Sequence, residues 1–182
     1  MTKPNICKSC GGKHDIEEYE GVLHRRLVEP GWGMVHIVPD DGGPSYSYSF
    51  GLWISTAHPE VIMFSVAPKL ANDFIDHLGE KAKKYPGIGT YRAGTVLKKF
   101  EGTEHAAAFI EAEEESARDY MGIARHLYGN RPDDPNSFPT LQVVWSDKKK
   151  LFPWDEGFDV DYLGSLPILG PMPKPVETEE TA

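Results

Sequence analysis

The residues best suited to chemistry in this sequence are the histidine and the glutamate of His58-Pro59-Glu60. Proline disfavours the helical conformation of the residue before it, so we expect His58 to be extended and to project to the same side as Glu60. An imidazole next to a carboxylate can transfer a proton near neutral pH, which makes the two residues candidate catalytic groups. In the competing interpretation the tripeptide is a loop leading into a strand, where His58 binds a backbone carbonyl and Glu60 pairs with a lysine or arginine.

A second candidate for chemistry is a cysteine pair near the N-terminus, Cys7 and Cys10, which has the spacing of a zinc knuckle. Two thiolates are half of a tetrahedral site. His14 or His24 could complete it, or a second copy of the chain could supply its own pair across a two-fold axis of a homodimer. The alternative is a reduced, exposed pair without metal.

Residues 45–52 alternate between small and large side chains, which is the period of a β-strand. The large side chains share one face: Tyr46, Tyr48, Phe50 and Leu52. The small ones share the other: Ser45, Ser47, Ser49 and Gly51. A face of small residues leaves room for a flat ligand or for a covering helix, and the sequence leaves both interpretations open.

Aromatic residues recur near the end of the last predicted strand, where a polar turn brings Phe152 and Trp154 back over the sheet. Aromatic rings beside a carboxylate can form a pocket wall, or they can form a lid over the core. We therefore predict a ligand site where the small strand face meets His58, Glu60 and this hairpin. Its predicted ligand-binding residues are Ser47, Tyr48, Ser49, Gly51, Trp145, Asp147 and Trp154.

The elements that must position these residues follow from periodicity. Helices are predicted from Asp15 to Pro30, from Pro68 to Pro86 and, capped by Ser116, up to Gly129; strands are predicted at 32–38, 46–52, 61–66, 91–100, 106–112 and 141–145. This order predicts an α+β fold with a mainly antiparallel sheet packed by two or three helices, with 46–52, 61–66 and 141–145 as central strands. We expect a Cys-containing segment at 1–13, one domain at 14–163 and a disordered, Pro-rich acidic tail at 164–182.

Composition narrows the class of protein. The 182 residues include 19 Lys and Arg against 28 Asp and Glu, a formal charge of −9, which argues against a binder of nucleic-acid backbones. No apolar stretch is long enough for a membrane span and no signal-peptide pattern is present, so we expect a cytoplasmic protein without a membrane partner. The common nucleotide-binding and hydrolase motifs are also missing from the sequence.

Several of these motifs, in this order, resemble an uncharacterised bacterial family known as domain of unknown function forty-two sixty-two. They are Gly31-Trp32-Gly33, Tyr48-Ser49-Phe50-Gly51-Leu52, His58-Pro59-Glu60, Leu141-Gln142-Val143-Val144-Trp145-Ser146-Asp147 and Phe152-Pro153-Trp154-Asp155. The resemblance runs from about Cys7 to Phe158, includes the cysteine pair, and implies no activity. Ser47-Tyr48-Ser49-Phe50 departs from the family, whose members more often have Ala-Tyr-Thr followed by Val or Ile.

The order of elements around the His-Pro loop is also similar to that of split-barrel flavin-binding proteins, which are typically dimers with flavin between the subunits. This analogy concerns the fold alone. Taken together, the sequence favours a domain that binds a small molecule or cofactor, and it leaves open whether this domain is an enzyme. The alternative is a non-catalytic interaction or regulatory module, stabilised by zinc in one version.

Overall fold

The computed structural model describes residues 16–39, 42–87, 91–99, 103–128, 138–161 and 166–173. Its helices are α1 (Ile16–Val28), α2 (Leu52–Thr56), α3 (Pro68–Lys84), α4 (Glu114–Arg118) and α5 (Gly122–Tyr128). Its strands are β1 (Gly33–Ile37), β2 (Tyr46–Phe50), β3 (Glu60–Phe64), β4 (Val96–Leu97), β5 (Ala107–Glu111) and β6 (Thr140–Trp145).

The strands form one sheet in the order β1-β2-β3-β6-β5-β4, in which all neighbours are antiparallel except β3 and β6. This confirms the predicted α+β class and mainly antiparallel sheet. The strands predicted to be central, β2, β3 and β6, are indeed the second, third and fourth of the sheet. Strand β3 is buried at every position, which is typical of a strand whose apolar residues, here Val61 to Phe64, do not alternate with polar ones.

The two faces of the sheet are covered by different helices. Register places Ser47 beside Met63, Met63 beside Val143 and Val143 beside Phe109, so these side chains share one face. The ring of Phe74 on α3 lies 6.1 Å from that of Phe109, which shows that α3 covers this face. On the opposite face, the backbone N–H of Ile123 on α5 donates to the Tyr48 hydroxyl at 3.1 Å.

Three elements differ from the predictions. The strand expected at 91–100 is only the two-residue β4, because the chain turns at Gly94, which has a left-handed φ of 87°. Ser116 does not cap a helix: it lies inside α4, and the chain turns again before α5 begins at Gly122. The short helix α2 was not predicted at all.

The tail also requires a correction, because residues 166–170 pack against the domain. Leu166 and Leu169 are buried, and the side chain of Gln142 donates to the Pro167 carbonyl and accepts the Leu169 N–H at 2.7 Å. The expectation of disorder from residue 164 is therefore wrong for this stretch. Residues 1–15 and 174–182 lie outside the described residues, so the predictions for Cys7, Cys10 and His14 stay predictions.

Candidate functional site

Glu60 is the most unusual side chain of the described structure, because it is a carboxyl group that is completely buried. Its partners are not the lysine or arginine of the competing interpretation. One carboxyl oxygen accepts hydrogen bonds from the Tyr128 hydroxyl and, at 3.0 Å, from the Trp53 N–H; the other accepts from the Ser49 hydroxyl. We call Glu60, Ser49 and Tyr128 the Glu60 network.

The two hydroxyls of the network are themselves held by backbone groups. Ser49 Oγ accepts the Val61 N–H at 2.8 Å, and the Tyr128 hydroxyl accepts the Gly51 N–H at 3.0 Å. Each hydroxyl hydrogen therefore points to the Glu60 carboxyl group, and every hydrogen of the network has an acceptor when that group is ionised. A neutral Glu60 would add one hydrogen without adding an acceptor.

Burial acts against this ionised form. It raises the pKa of Glu60 above the ordinary value, while the hydrogen bonds from Ser49, the Trp53 N–H and Tyr128 lower that pKa and oppose part of the shift. Burial, and after it the charge of Glu60, likewise raises the pKa of the Tyr128 phenol, which stays protonated as the donor. The pKa of Glu60 is therefore set by burial, which raises it, and by the hydrogen bonds of the network, which lower it.

Local backbone geometry explains why these groups meet. The β2–β3 ladder ends at Tyr48 and Ile62, so beyond it the Ser49 hydroxyl, rather than a carbonyl, accepts the Val61 N–H. Gly51 then turns the chain with a left-handed φ of 91°, and α2 starts with its N–H groups near Glu60. A Cβ at Gly51 would lie 2.5 Å from the Gly31 carbonyl oxygen, so close backbone approach explains this small residue without a ligand.

His58 does not join the Glu60 network through any described hydrogen bond. Its Nε2 accepts the Tyr91 N–H at 3.1 Å, so the ring proton is on Nδ1 and donates to the Pro59 carbonyl at 2.6 Å. Burial lowers the pKa of His58, which keeps it neutral. Both ring nitrogens are occupied; the contact with the Pro59 carbonyl is of the kind that the loop interpretation predicted, whereas the contact with the Tyr91 N–H was not predicted.

The predicted ligand face of β2 is filled. Ser47 and Ser49 are both completely buried, and the Ser47 hydroxyl lies 2.9 Å from Nδ1 of His36. The covering helix α3 lies over the face that Ser47 shares, so packing under a helix, the second of the two interpretations, accounts for the serine at this position.

The C-terminal residues of the predicted site make their described contacts with other parts of the chain. Trp145 donates its ring N–H to the Phe64 carbonyl at 3.1 Å, and Asp147 accepts the Lys149 and Leu151 N–H groups within its own turn. Trp154 stacks on Phe152 and packs over the β5–β6 part of the sheet as a lid. The described contacts of these three residues are made with groups other than the serines, and a pocket that joins all seven residues stays a prediction.

The structure instead offers a cleft between α4, α5 and the start of β6, which we call the arginine cleft. It is lined by Glu114, Ala117, Arg118, Arg125, Phe138 and Thr140. Its two guanidinium groups outnumber its one carboxylate, which pairs with Arg118 at 3.4 Å. The Nε of Arg125 is buried and has no hydrogen-bond partner in the part of the chain that the structure describes.

The arginine cleft borders the Glu60 network. Thr140, in its floor, is the register partner of Glu60 in the parallel β3–β6 pair. Phe138, in its wall, has its ring centroid 4.7 Å from that of Tyr128. A group bound in the cleft would therefore be one layer of side chains away from the buried carboxyl group.

Sequence reasoning missed Tyr128 and the arginines for a physical reason. Tyr128 falls in the helix predicted to end at Gly129, and no pattern in that helix shows that its hydroxyl meets Glu60 across 68 positions of sequence. Arg118 and Arg125 belong to two helices that were predicted as one. The signal that was available was Glu60 itself, a charged residue at the start of an otherwise apolar strand.

Two other features are absent from the described residues. The residues described contain no cluster of three or more His, Cys, Asp or Glu side chains that could hold a metal ion. No helix in this part of the chain combines the length and the apolarity that crossing a membrane requires.

Comparison with known proteins identifies one relationship. A family model described as a domain of unknown function (DUF4262) matches residues 27–159, which confirms the resemblance over the motifs from Gly31 to Asp155. The stretch from Cys7 to residue 26, which includes the cysteine pair, lies outside the match. No curated protein and no solved structure matches the chain significantly.

Proposed function

We propose, for a chain that belongs to the DUF4262 family, that the domain binds a small molecule through an anionic group held in the arginine cleft. The observation that carries this proposal is the buried Nε–H of Arg125, which has no partner among the described residues. A buried donor without an acceptor costs about 1–3 kcal/mol, and a bound acceptor removes that cost.

The size of the cleft limits the group that enters it. The space within it is about 10 Å³, close to the least that holds one water molecule, so it admits one oxygen atom of a ligand rather than a whole molecule. A carboxylate fits the chemistry, because the planar guanidinium fork can donate two parallel hydrogen bonds to it. The remainder of the ligand would lie outside, against Phe138 at the rim.

The Glu60 network supports this site and gives it an enzymatic possibility. Through Phe138 and Tyr128, the network fixes one wall of the cleft. A carboxyl group with a raised pKa near a bound substrate is suited to general acid–base chemistry, provided that α5 moves to expose it.

Thermal unfolding in the presence of a ligand panel tests the binding proposal, because a ligand that binds only the folded state raises the Tm. The panel pairs small carboxylates with their uncharged amides. We expect carboxylates, but not amides, to raise the Tm of the wild type, and Arg125→Gln to abolish the effect. The matched control, Arg92→Gln, removes an exposed arginine outside the cleft and should keep it. The proposal would be contradicted if no carboxylate raised the Tm of the wild type, or if Arg92→Gln reduced the effect of carboxylates as much as Arg125→Gln does.

A further inference from the structure

A second surface stands out because its charge is opposite to that of the chain. Three lysines, Lys81, Lys83 and Lys84, lie in the last turn of α3. With His77, Glu80 and Tyr85 they line an open groove of about 580 Å³, which we call the α3 groove. Three lysines and one glutamate line this groove, on a chain whose formal charge is −9.

The lysines of the α3 groove rest on aromatic rings. The Nζ atom of Lys81 lies 4.4 Å from the Tyr91 ring centroid, that of Lys83 lies 5.7 Å from the Trp32 centroid, and that of Lys84 lies 5.1 Å from the Tyr85 centroid. An aromatic ring attracts a cation but has no net charge, so these contacts leave the positive charge in place. They also restrain the lysines, which reduces the entropy lost when a partner binds.

Lysines at the end of a helix have an ordinary role, since they interact favourably with its partial negative charge. That role accounts for neither the groove nor Tyr85, whose side chain is 50% exposed at its rim. Tyrosine with an accessible ring is enriched at protein interfaces, where it acts as an anchor.

We propose that the α3 groove docks an acidic peptide segment of a partner protein. Charge complementarity identifies the partner: repeated carboxylates would meet the three ammonium groups, while Tyr85 contacts the peptide's apolar side chains. A short peptide touches only the groove, whereas a long polyanion such as a nucleic acid would also approach the acidic remainder of the surface and be repelled.

Fluorescence anisotropy with a labelled peptide of alternating Glu and Tyr tests this docking. The first variant replaces Lys81, Lys83 and Lys84 by Gln. The matched control replaces Lys148, Lys149 and Lys150, three exposed lysines of the turn after β6, in the same way. We expect the wild type to bind the peptide, the α3 variant to bind roughly ten-fold more weakly, and the turn variant to bind within about two-fold of the wild type.

Three results would overturn the proposal: no binding of the peptide by the wild type, equal losses in both triple variants, or tighter binding of a single-stranded oligonucleotide of equal charge. The first two results would exclude specific peptide binding in the α3 groove, and the third would make a nucleic acid, rather than a peptide, its ligand. If circular dichroism shows that the α3 triple variant is unfolded, Lys84→Gln replaces it, since Lys84 contacts only the neighbouring Tyr85 in the described cation–π pairs. We then expect Lys84→Gln to weaken peptide binding about two-fold and Lys149→Gln to leave it unchanged. Equal binding by the two variants would refute docking in the α3 groove.

Discussion

Replacing Tyr128 by Phe removes one hydroxyl and keeps the ring that packs on Phe138. The structure assigns two contacts to that hydroxyl: it donates to the buried Glu60 carboxyl group and accepts the Gly51 N–H at 3.0 Å. Loss of a hydrogen bond to a charged group costs about 1.5–3 kcal/mol, and an unsatisfied buried N–H costs about 1–3 kcal/mol. We therefore expect Tyr128→Phe to lower the free energy of unfolding by about 3 kcal/mol, towards the low end of the sum because the site relaxes.

Urea unfolding, followed by tryptophan fluorescence and circular dichroism together, measures this change. The matched control is Tyr91→Phe, which removes the hydroxyl of a half-buried tyrosine that the Lys81 ammonium contacts at 3.4 Å. The Tyr128 variant should lose more stability than the control, by about 1.5 kcal/mol or more. Equal losses, or a loss below about 1 kcal/mol for Tyr128→Phe, would show that this hydroxyl does not hold Glu60.

Three other predictions concern the ionisation of Glu60, the C-terminal segment and the cysteine pair. Burial raises the pKa of Glu60 in the folded state above its value in the unfolded state. The stability that the bound proton supplies is therefore complete below the unfolded-state pKa and is lost as the pH rises through the folded-state pKa. Across this pH window the wild type should lose stability relative to Glu60→Gln, and a relative gain would mean that the hydrogen bonds outweigh burial. Removing residues 166–182 should lower the Tm because Leu166 and Leu169 are buried, whereas removing only 174–182 should not, and equal Tm values would contradict the docking of these leucines. If Cys7 and Cys10 bind zinc, elemental analysis should find about one metal per chain, or one per dimer for a shared site, and Cys7→Ser should release it; metal-free protein of ordinary stability would mean exposed thiols.

Most of the fold could be predicted because its elements are encoded locally. Alternation in β2, the continuous apolar run of β3 and Pro68 at the first turn of α3 each specify an element without reference to the rest of the chain. The prediction was wrong where a turn interrupts a periodic pattern, as between α4 and α5, because helical residues on both sides of the turn look continuous in sequence.

The site could be predicted only in part, because it depends on contacts between distant segments. The sequence pointed to Glu60 and Ser49, which the fold does bring together, but it could not show that Tyr128 would supply the third group. The small residues of β2 were recognised as requiring close approach; what approaches Gly51 is the backbone at Gly31, and what covers the face of Ser47 is α3. A pattern of small residues predicts that another group approaches closely, but it does not identify that group.

The central claim is that the arginine cleft holds an anionic group against Arg125, and the Nε–H signal of this side chain in a ¹H–¹⁵N NMR spectrum tests it most directly. Titration with acetate and then with a larger aromatic carboxylate, at constant ionic strength, should shift the Arg125 signal along a saturating curve. The Arg118 signal should follow, and that of Arg92 should stay in place. An Arg125 signal that does not move, or that moves linearly and in parallel with Arg92, would contradict the claim.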